Sequence, residues 1–181
     1  MKKAIQVLSI TCLGLTLGGA LSVGAAPLTK ASELKTVKPD PNAEKHKWTY
    51  KNNVFDAGNE TYTFTKNKVV TVGKDKYLIM YCDITNNSTK KMDPSLVSMV
   101  MQAHQSTSSQ DKQLDTATIG TSDNGLDKLE NNLYQKLLPG KSVHAIIQYK
   151  LVNNRPVKVT FQDENSNTIG TRNIKVNNLG E

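Results

Sequence analysis

Sulfur and imidazole are scarce in this chain. Two cysteines and three histidines are spread over 181 residues. Two cysteines exclude a four-cysteine zinc site and leave any disulfide framework thin. Three histidines leave little for a histidine-rich metal centre. Aromatic residues make up 6% of the chain, few for a surface that stacks sugars or bases. No Gly-x-Ser-x-Gly elbow offers a serine nucleophile. Gly120 and Gly125 have the separation of a phosphate-cradling loop, but Leu126-Asp127 stands where that loop needs Lys followed by Ser or Thr. The length suits one modest domain plus extras.

The N-terminus is present in a recognisable form. Lys2 and Lys3 precede a stretch from Ala4 to Ala26 without a charged residue, carried by Ile5, Val7, Leu8, Ile10, Leu13, Leu15, Leu17 and Leu21. Small residues gather from Gly18 to Ala26. This is the layout of a secretory signal peptide over residues 1–25. Val23 and Ala25 fit the two small-residue positions of a signal-peptidase site, which predicts a cut between Ala25 and Ala26. A cut after Ala26 would put Pro27 beside the scissile bond. An uncleaved anchor is the alternative, since the uncharged stretch is long enough to span a bilayer, although its glycine-rich end makes a poor stop. Cys12 is the alternative lipidation site. Ser9 and Thr11 occupy the positions where a lipoprotein signal places an apolar and a small residue, so Cys12 reads as part of the apolar stretch.

Removing residues 1–25 takes away two lysines and no acid, which lowers the formal net charge from +7 to +5. It also leaves Cys82 as the one cysteine, unable to form an internal disulfide. Cys82 sits in an apolar run, where burial is the expectation. Residues 26–46 hold Pro27, Pro39 and Pro41, mixed charges and few large apolar side chains. Such a segment cannot bury enough surface to offset its ordering entropy, and reads as a disordered linker. Residues 47–181 are then the domain.

That domain reads as short β-type runs divided by turn signals. Thr61–Thr65 is strongly β-prone and continues to Val72, and Gly73-Lys74-Asp75 turns. From Tyr77 to Thr85, Leu78, Met80, Cys82 and Ile84 share one face and Tyr77, Ile79 and Tyr81 the other. Apolar residues on both faces predict a central strand. Leu96–Gln105 alternates through Val97, Met99, Met101 and Ala103 and predicts another strand. Residues 106–125 are polar and turn-rich, the expected place for variable contacts. Leu126, Leu129, Leu133 and Leu137 form one helical stripe, with Asp127 and Glu130 at capping-box spacing, Asp123 or Asn124 as alternative caps, and Pro139-Gly140 as the stop. Val143–Leu151 alternates with Ser142, His144, Gln148 and Lys150, and Val157, Val159 and Phe161 alternate after Pro156. Ile169, Ile174 and Val176 close the chain. The spacing predicts an all-β antiparallel sandwich of seven or eight strands with one short helix near residues 126–137.

The order of three of these features carries a resemblance. They are Tyr77–Ser88, an apolar strand ending in Thr85-Asn86-Asn87-Ser88; Leu138-Pro139-Gly140-Lys141 leading into Val143–Leu151; and Pro156–Phe161. Over about residues 48–176 the chain resembles the immunoglobulin-like domains secreted by Gram-positive bacteria, in the domain-of-unknown-function family numbered 5067 with wider relatives in the family numbered 4352. The resemblance implies an immunoglobulin-like sandwich, export and residence at the surface. It implies no established activity and supplies no catalytic residue. Many relatives look like lipoproteins, and the weak lipidation signal at Cys12 departs from them.

The chemistry-bearing residues left over are few. Cys82 could pair with His104 or His144 only if it left its apolar strand. His104 and His144 alternate with apolar residues on separate strands and lack an identifiable third ligand. Asp163, Asn165 and Asn167 mimic the opening of a calcium loop, but Thr168 stands where its glycine belongs and Ile174 where its closing acid belongs, so a hairpin loop is the reading. The bases are dispersed and the aromatics fit core positions, which argues against nucleic acid. The expectation is therefore a non-enzymatic exported domain without cofactor, catalytic residue or metal, binding an unknown protein or cell-wall ligand, with no membrane span in its mature form. Its positive charge would draw it to anionic envelope polymers such as teichoic acids. The competing readings are a metal-dependent or histidine-based enzyme and a structural spacer.

Overall fold

A computed structural model describes residues 34–119 and 125–178. Cys12, Ala25 and Ala26 lie outside the described residues.

Alternation of β-branched and aromatic residues produces two antiparallel sheets. The first contains β1 (Thr49–Lys51), β2 (Val54–Asp56), β3 (Glu60–Val72), β4 (Asp75–Asn86) and β7 (Ser142–Lys150), in the order β1-β2-β3-β4-β7. The second contains β5 (Met101–Ser106), β6 (Asp111–Gln113), β8 (Val157–Gln162) and β9 (Thr168–Ile174), in the order β6-β5-β8-β9. The central strand expected at residues 77–85 is β4, flanked by β3 and β7. The sandwich thus has nine strands among the described residues against the seven or eight expected: the chain from Thr49 to Asp56 is a hairpin of two short strands, β1 and β2, and the short β6 lies within the 106–125 segment.

The core lies between the sheets. Leu78, Met80, Cys82 and Ile84 of β4 share it with Ala103 of β5 and Val157, Val159 and Phe161 of β8. Phe161 meets Phe55 and Phe64 across the sheets at 5.4 and 5.6 Å between ring centroids. A second, smaller core covers the outer face of the first sheet. There Ile79 and Ile146 are capped by Ile119 and by Leu126 of α1 (Leu126–Leu133).

Three expectations are corrected. The run Leu96–Gln105 is not one strand. Asp93 Oδ1 accepts hydrogen bonds from the Ser95 backbone N–H (3.2 Å) and hydroxyl (2.7 Å), Pro94 follows, and a 3-10 helix runs over Pro94–Met99 before β5 starts. Proline and an Asp cap favour a helical first turn over a strand. The helix expected to reach Leu137 ends at Leu133, and Gly125 caps its start at φ +70° without a side-chain hydrogen bond. Asp127 and Glu130 therefore form no capping box. Asp123 and Asn124 lie outside the described residues. Within the expected linker, residues 37–46 are docked rather than free. Val37 N–H donates to Gly140 O (2.9 Å), Asp40 N–H to Asn87 O (2.6 Å), and Ala43 is buried. Backbone groups make these bonds, so composition gave no sign of them.

Two buried amides tie the loops together. Asn86 Nδ2 donates to Lys90 O (2.7 Å) and Leu137 O (2.9 Å), while its Oδ1 accepts from the Ser88 N–H and hydroxyl at 2.9 Å each. Gln105 Nε2 donates to Asn153 O (3.1 Å) and Arg155 O (2.6 Å), and its Oε1 accepts from Val152 N–H (2.9 Å). Both side chains are fully buried and fully used.

Candidate functional site

The 3-10 helix breaks the expected alternation, and that break makes a site. In a strand Met99 would share the inward face with Met101. Instead Met99 is 72% exposed and Leu96 52% exposed. With Val97 and Val100 they wall one side of an apolar groove of about 260 Å³. Trp48, Phe55 and Met92 line the rest, and Trp48 sits edge-on to Phe55 at 6.0 Å.

The floor of the groove is polar at one point. Gly58 makes the turn that starts β3, at φ +69°, where a Cβ would lie 2.6 Å from Ala43 O. That turn delivers Glu60 and Tyr62 to the groove. Glu60 is 6% exposed, and its Oε2 accepts a hydrogen bond from the Tyr62 hydroxyl at 2.8 Å. The same hydroxyl lies 3.0 Å from Pro94 O, so one proton has two acceptors. Glu60 Oε1 has no partner. Burial raises the Glu60 pKa to about 7; the Tyr62 hydrogen bond opposes the rise and the nearby negative charge of Asp93 adds to it. Burial also raises the Tyr62 pKa, reinforced by Glu60. An apolar groove with one hydrogen-bonding group at its base is built to orient a mostly apolar ligand.

The residues weighed from the sequence are not brought together. Cys82 is buried, its Sγ facing Ala145 O at 3.8 Å, and burial holds its thiol far above the usual range. His104 is on β5 and His144 on β7, in different sheets. Each has its own carboxylate: His144 Nδ1 is 2.6 Å from Asp83 Oδ1, and His104 Nδ1 is 3.5 Å from Asp111 Oδ2, without hydrogen-bond alignment. His46 Nε2 likewise faces Asp40 at 3.1 Å. Asp163 serves its hairpin: its Oδ1 accepts from Asn165 N–H (2.9 Å) and Asn167 N–H (2.8 Å), and these bonds lower its pKa. Among the described residues no cluster of three or more His, Cys, Asp or Glu could hold a metal ion, and no helix is long and apolar enough to cross a membrane.

The 106–125 segment differs in part from a free loop. β6 pairs with β5, Leu114 and Ile119 are buried, and Ala117 N–H donates to Gln148 O at 3.0 Å. Residues 114–119 are a strap across β7, and residues 120–124 lie outside the described residues. Glu60, Leu96 and Met99 escaped the sequence reading. The one local signal that could have found the latter two was Asp93-Pro94-Ser95, a helix start inside an alternating run.

A family model described as "Domain of unknown function (DUF5067)" matches residues 35–163. A protein of Staphylococcus aureus described as a putative lipoprotein shares the fold at TM-score 0.66 and 17% identity, covering 74% of this chain and 95% of its own. A protein of Enterococcus faecalis whose structure was solved by NMR does so at TM-score 0.56 and 19% identity, covering 73% of this chain and 95% of its own. No curated protein matches the chain.

Proposed function

The chain belongs to the DUF5067 family of domains of unknown function, and from that premise we propose that it is an exported, non-enzymatic binding domain of the bacterial cell surface. Its groove between Trp48 and Met99 receives an apolar segment of another polypeptide. The observation that carries this reading is the exposure of Met99 and Leu96 around a recess floored by Phe55 and Tyr62. Methionine and aromatic side chains are enriched at the cores of protein interfaces, and methionine adapts to the shape of its partner. Glu60 Oε1 at the base accepts a hydrogen bond from the bound segment.

Export is supported by the signal-peptide layout of residues 1–25, and surface residence by the lipoprotein description of the staphylococcal protein of similar fold. A non-enzymatic role is supported by the sealed thiol of Cys82 and by the separation of His104 and His144 onto different sheets. The net positive charge adds a nonspecific attraction to anionic envelope polymers.

The test is retention of the chain on isolated envelopes of the producing cell. Wild type is expected to be retained saturably. Met99→Glu, a change at an exposed site, is expected to weaken the salt-resistant part of the retention at least tenfold. Raising salt should remove only the nonspecific part. Equal retention of Met99→Glu and wild type would overturn the groove, and no retention of either would leave the domain a spacer.

A further inference from the structure

Polar groups in a folded interior nearly always find partners, and those that do not mark a place where something else belongs. The buried amides Asn86 and Gln105 use both ends of their side chains. Gln148 is as deeply placed, at 3% exposed, and neither its Oε1 nor its Nε2 has a partner. Glu130 of α1, 5% exposed, has an unpartnered Oε1. Among the described residues no Lys, Arg or His forms an ion pair with Glu130. Both residues line one cavity of about 250 Å³, which shares Val97 with the apolar groove. Ser98, Thr116 and the half-exposed Tyr134 complete its lining.

The chemistry of these groups specifies a ligand. A buried carboxyl oxygen without a protein cation calls for a charged donor. An amide with both ends free calls for one donor and one acceptor at neighbouring positions. The cavity is smaller than the roughly 300–1,000 Å³ of pockets that enclose drug-sized ligands, so it holds a group about the size of one amino acid. We infer that this cavity is a second binding site, for the free N-terminus of a peptide or an equivalent α-amino amide. The ammonium is held by Glu130 and the adjoining amide by Gln148. Glu130 and Gln148 come from α1 and β7, neither of which lines the groove at Met99, although Val97 borders both.

Titration of the full chain with L-alaninamide, followed by amide NMR shifts, tests this directly. Saturable shifts are expected around Gln148, Glu130 and Thr116. N-acetylalaninamide, which lacks the ammonium, should bind at least tenfold more weakly. Gly-Gly-Gly should bind while its N-acetylated form does not, which extends the site from a free amino amide to a peptide end; binding of alaninamide alone would restrict it to the free compound. Glu130→Gln, nearly isosteric, should weaken alaninamide at least tenfold and leave the envelope retention that depends on Met99 unchanged. No saturable shift would mean that the cavity holds water only and would overturn the site. Equal binding of the acetylated compound, or shifts confined to Met99 and Trp48, would overturn it too.

Discussion

The ring of Tyr50 lies flat on that of Phe161, with centroids 3.8 Å apart and planes within 10° of parallel. Tyr50 belongs to β1 in the first sheet and Phe161 to β8 in the second, so the pair joins the sheets along one flank. Gly170 of β9 is paired with Phe161 in the ladder. A Cβ on Gly170 would lie 2.6 Å from Tyr50 Cδ1. The tyrosine ring thus fills the space that the glycine leaves over the sheet, and the two residues require each other.

Gly170→Ala is therefore expected to destabilise the domain by about 1–3 kcal/mol, the usual cost of overpacking. Adding Tyr50→Ala removes the obstacle. The double variant should lose clearly less than the sum of the single losses, as contacting residues do. Urea unfolding of the four proteins in a double-mutant cycle checks this.

Glu60 makes stability depend on pH. Its carboxyl has a pKa of about 7 in the folded chain against an ordinary value of 4.5. Between these values the folded state holds the proton more tightly than the unfolded state. The stabilising contribution is complete below about pH 4.5 and is lost as pH rises through about 7. The difference corresponds to about 3 kcal/mol. Glu60→Gln should flatten this segment of the profile and make the domain more stable than wild type above pH 7. Denaturant midpoints from pH 4 to 8 provide the measurement, and a Glu60→Gln profile parallel to wild type would contradict it.

Asn86 holds two loops, the one at Ser88–Lys90 and the one at Leu137, through one side chain. Asn86→Ala would leave the Lys90 and Leu137 carbonyls and the Ser88 donors without their partner. A loss of about 2–4 kcal/mol is expected, because unmatched buried polar groups cost about 1–3 kcal/mol each and some regain water. Hydrogen exchange should show the release of Ser88–Lys91 and of the docked residues 37–45 together, since Asp40 is tied to the neighbouring Asn87.

Cys82 should be silent in the folded state. It is 1% exposed, and burial suppresses its thiolate. A thiol reagent added to native protein is expected to modify a negligible fraction within an hour, and all of it in denaturant. Rapid native labelling by intact mass would show that the inter-sheet core opens.

Much of the fold was legible because alternation is a direct image of a two-faced sheet. β4 could be placed at the centre from Leu78, Ile79, Met80 and Cys82, since only a strand covered on both sides is apolar on both. Val157, Val159 and Phe161 gave β8 for the same kind of reason, and all three are fully buried. The 3-10 helix was missed because Val97, Met99 and Met101 keep the period of a strand while Asp93-Pro94 imposes a turn. The site was illegible for a different reason. Nothing around Glu60 or Gln148 in the sequence marks them, because their burial is created by segments remote along the chain. Pro94 closes over Tyr62, and the 114–119 strap and α1 close over Gln148, which the alternation had placed on an exposed face.

The borders of the sheets carry one more consequence. β1 and β6 are three residues long, and the outer rim of β7 is already occupied, with Lys150 N–H bonded to Asp115 O and Ala117 N–H to Gln148 O. Lys51 and Lys112 stand on the two short strands. A second copy of the chain seeking to add its own strand finds little free backbone on these three rims, and a positive charge on two of them. Three of the four sheet borders are thus guarded against fibre growth, two by shortness and one by the strap laid along it, which leaves β9 (Thr168–Ile174) as the one long border.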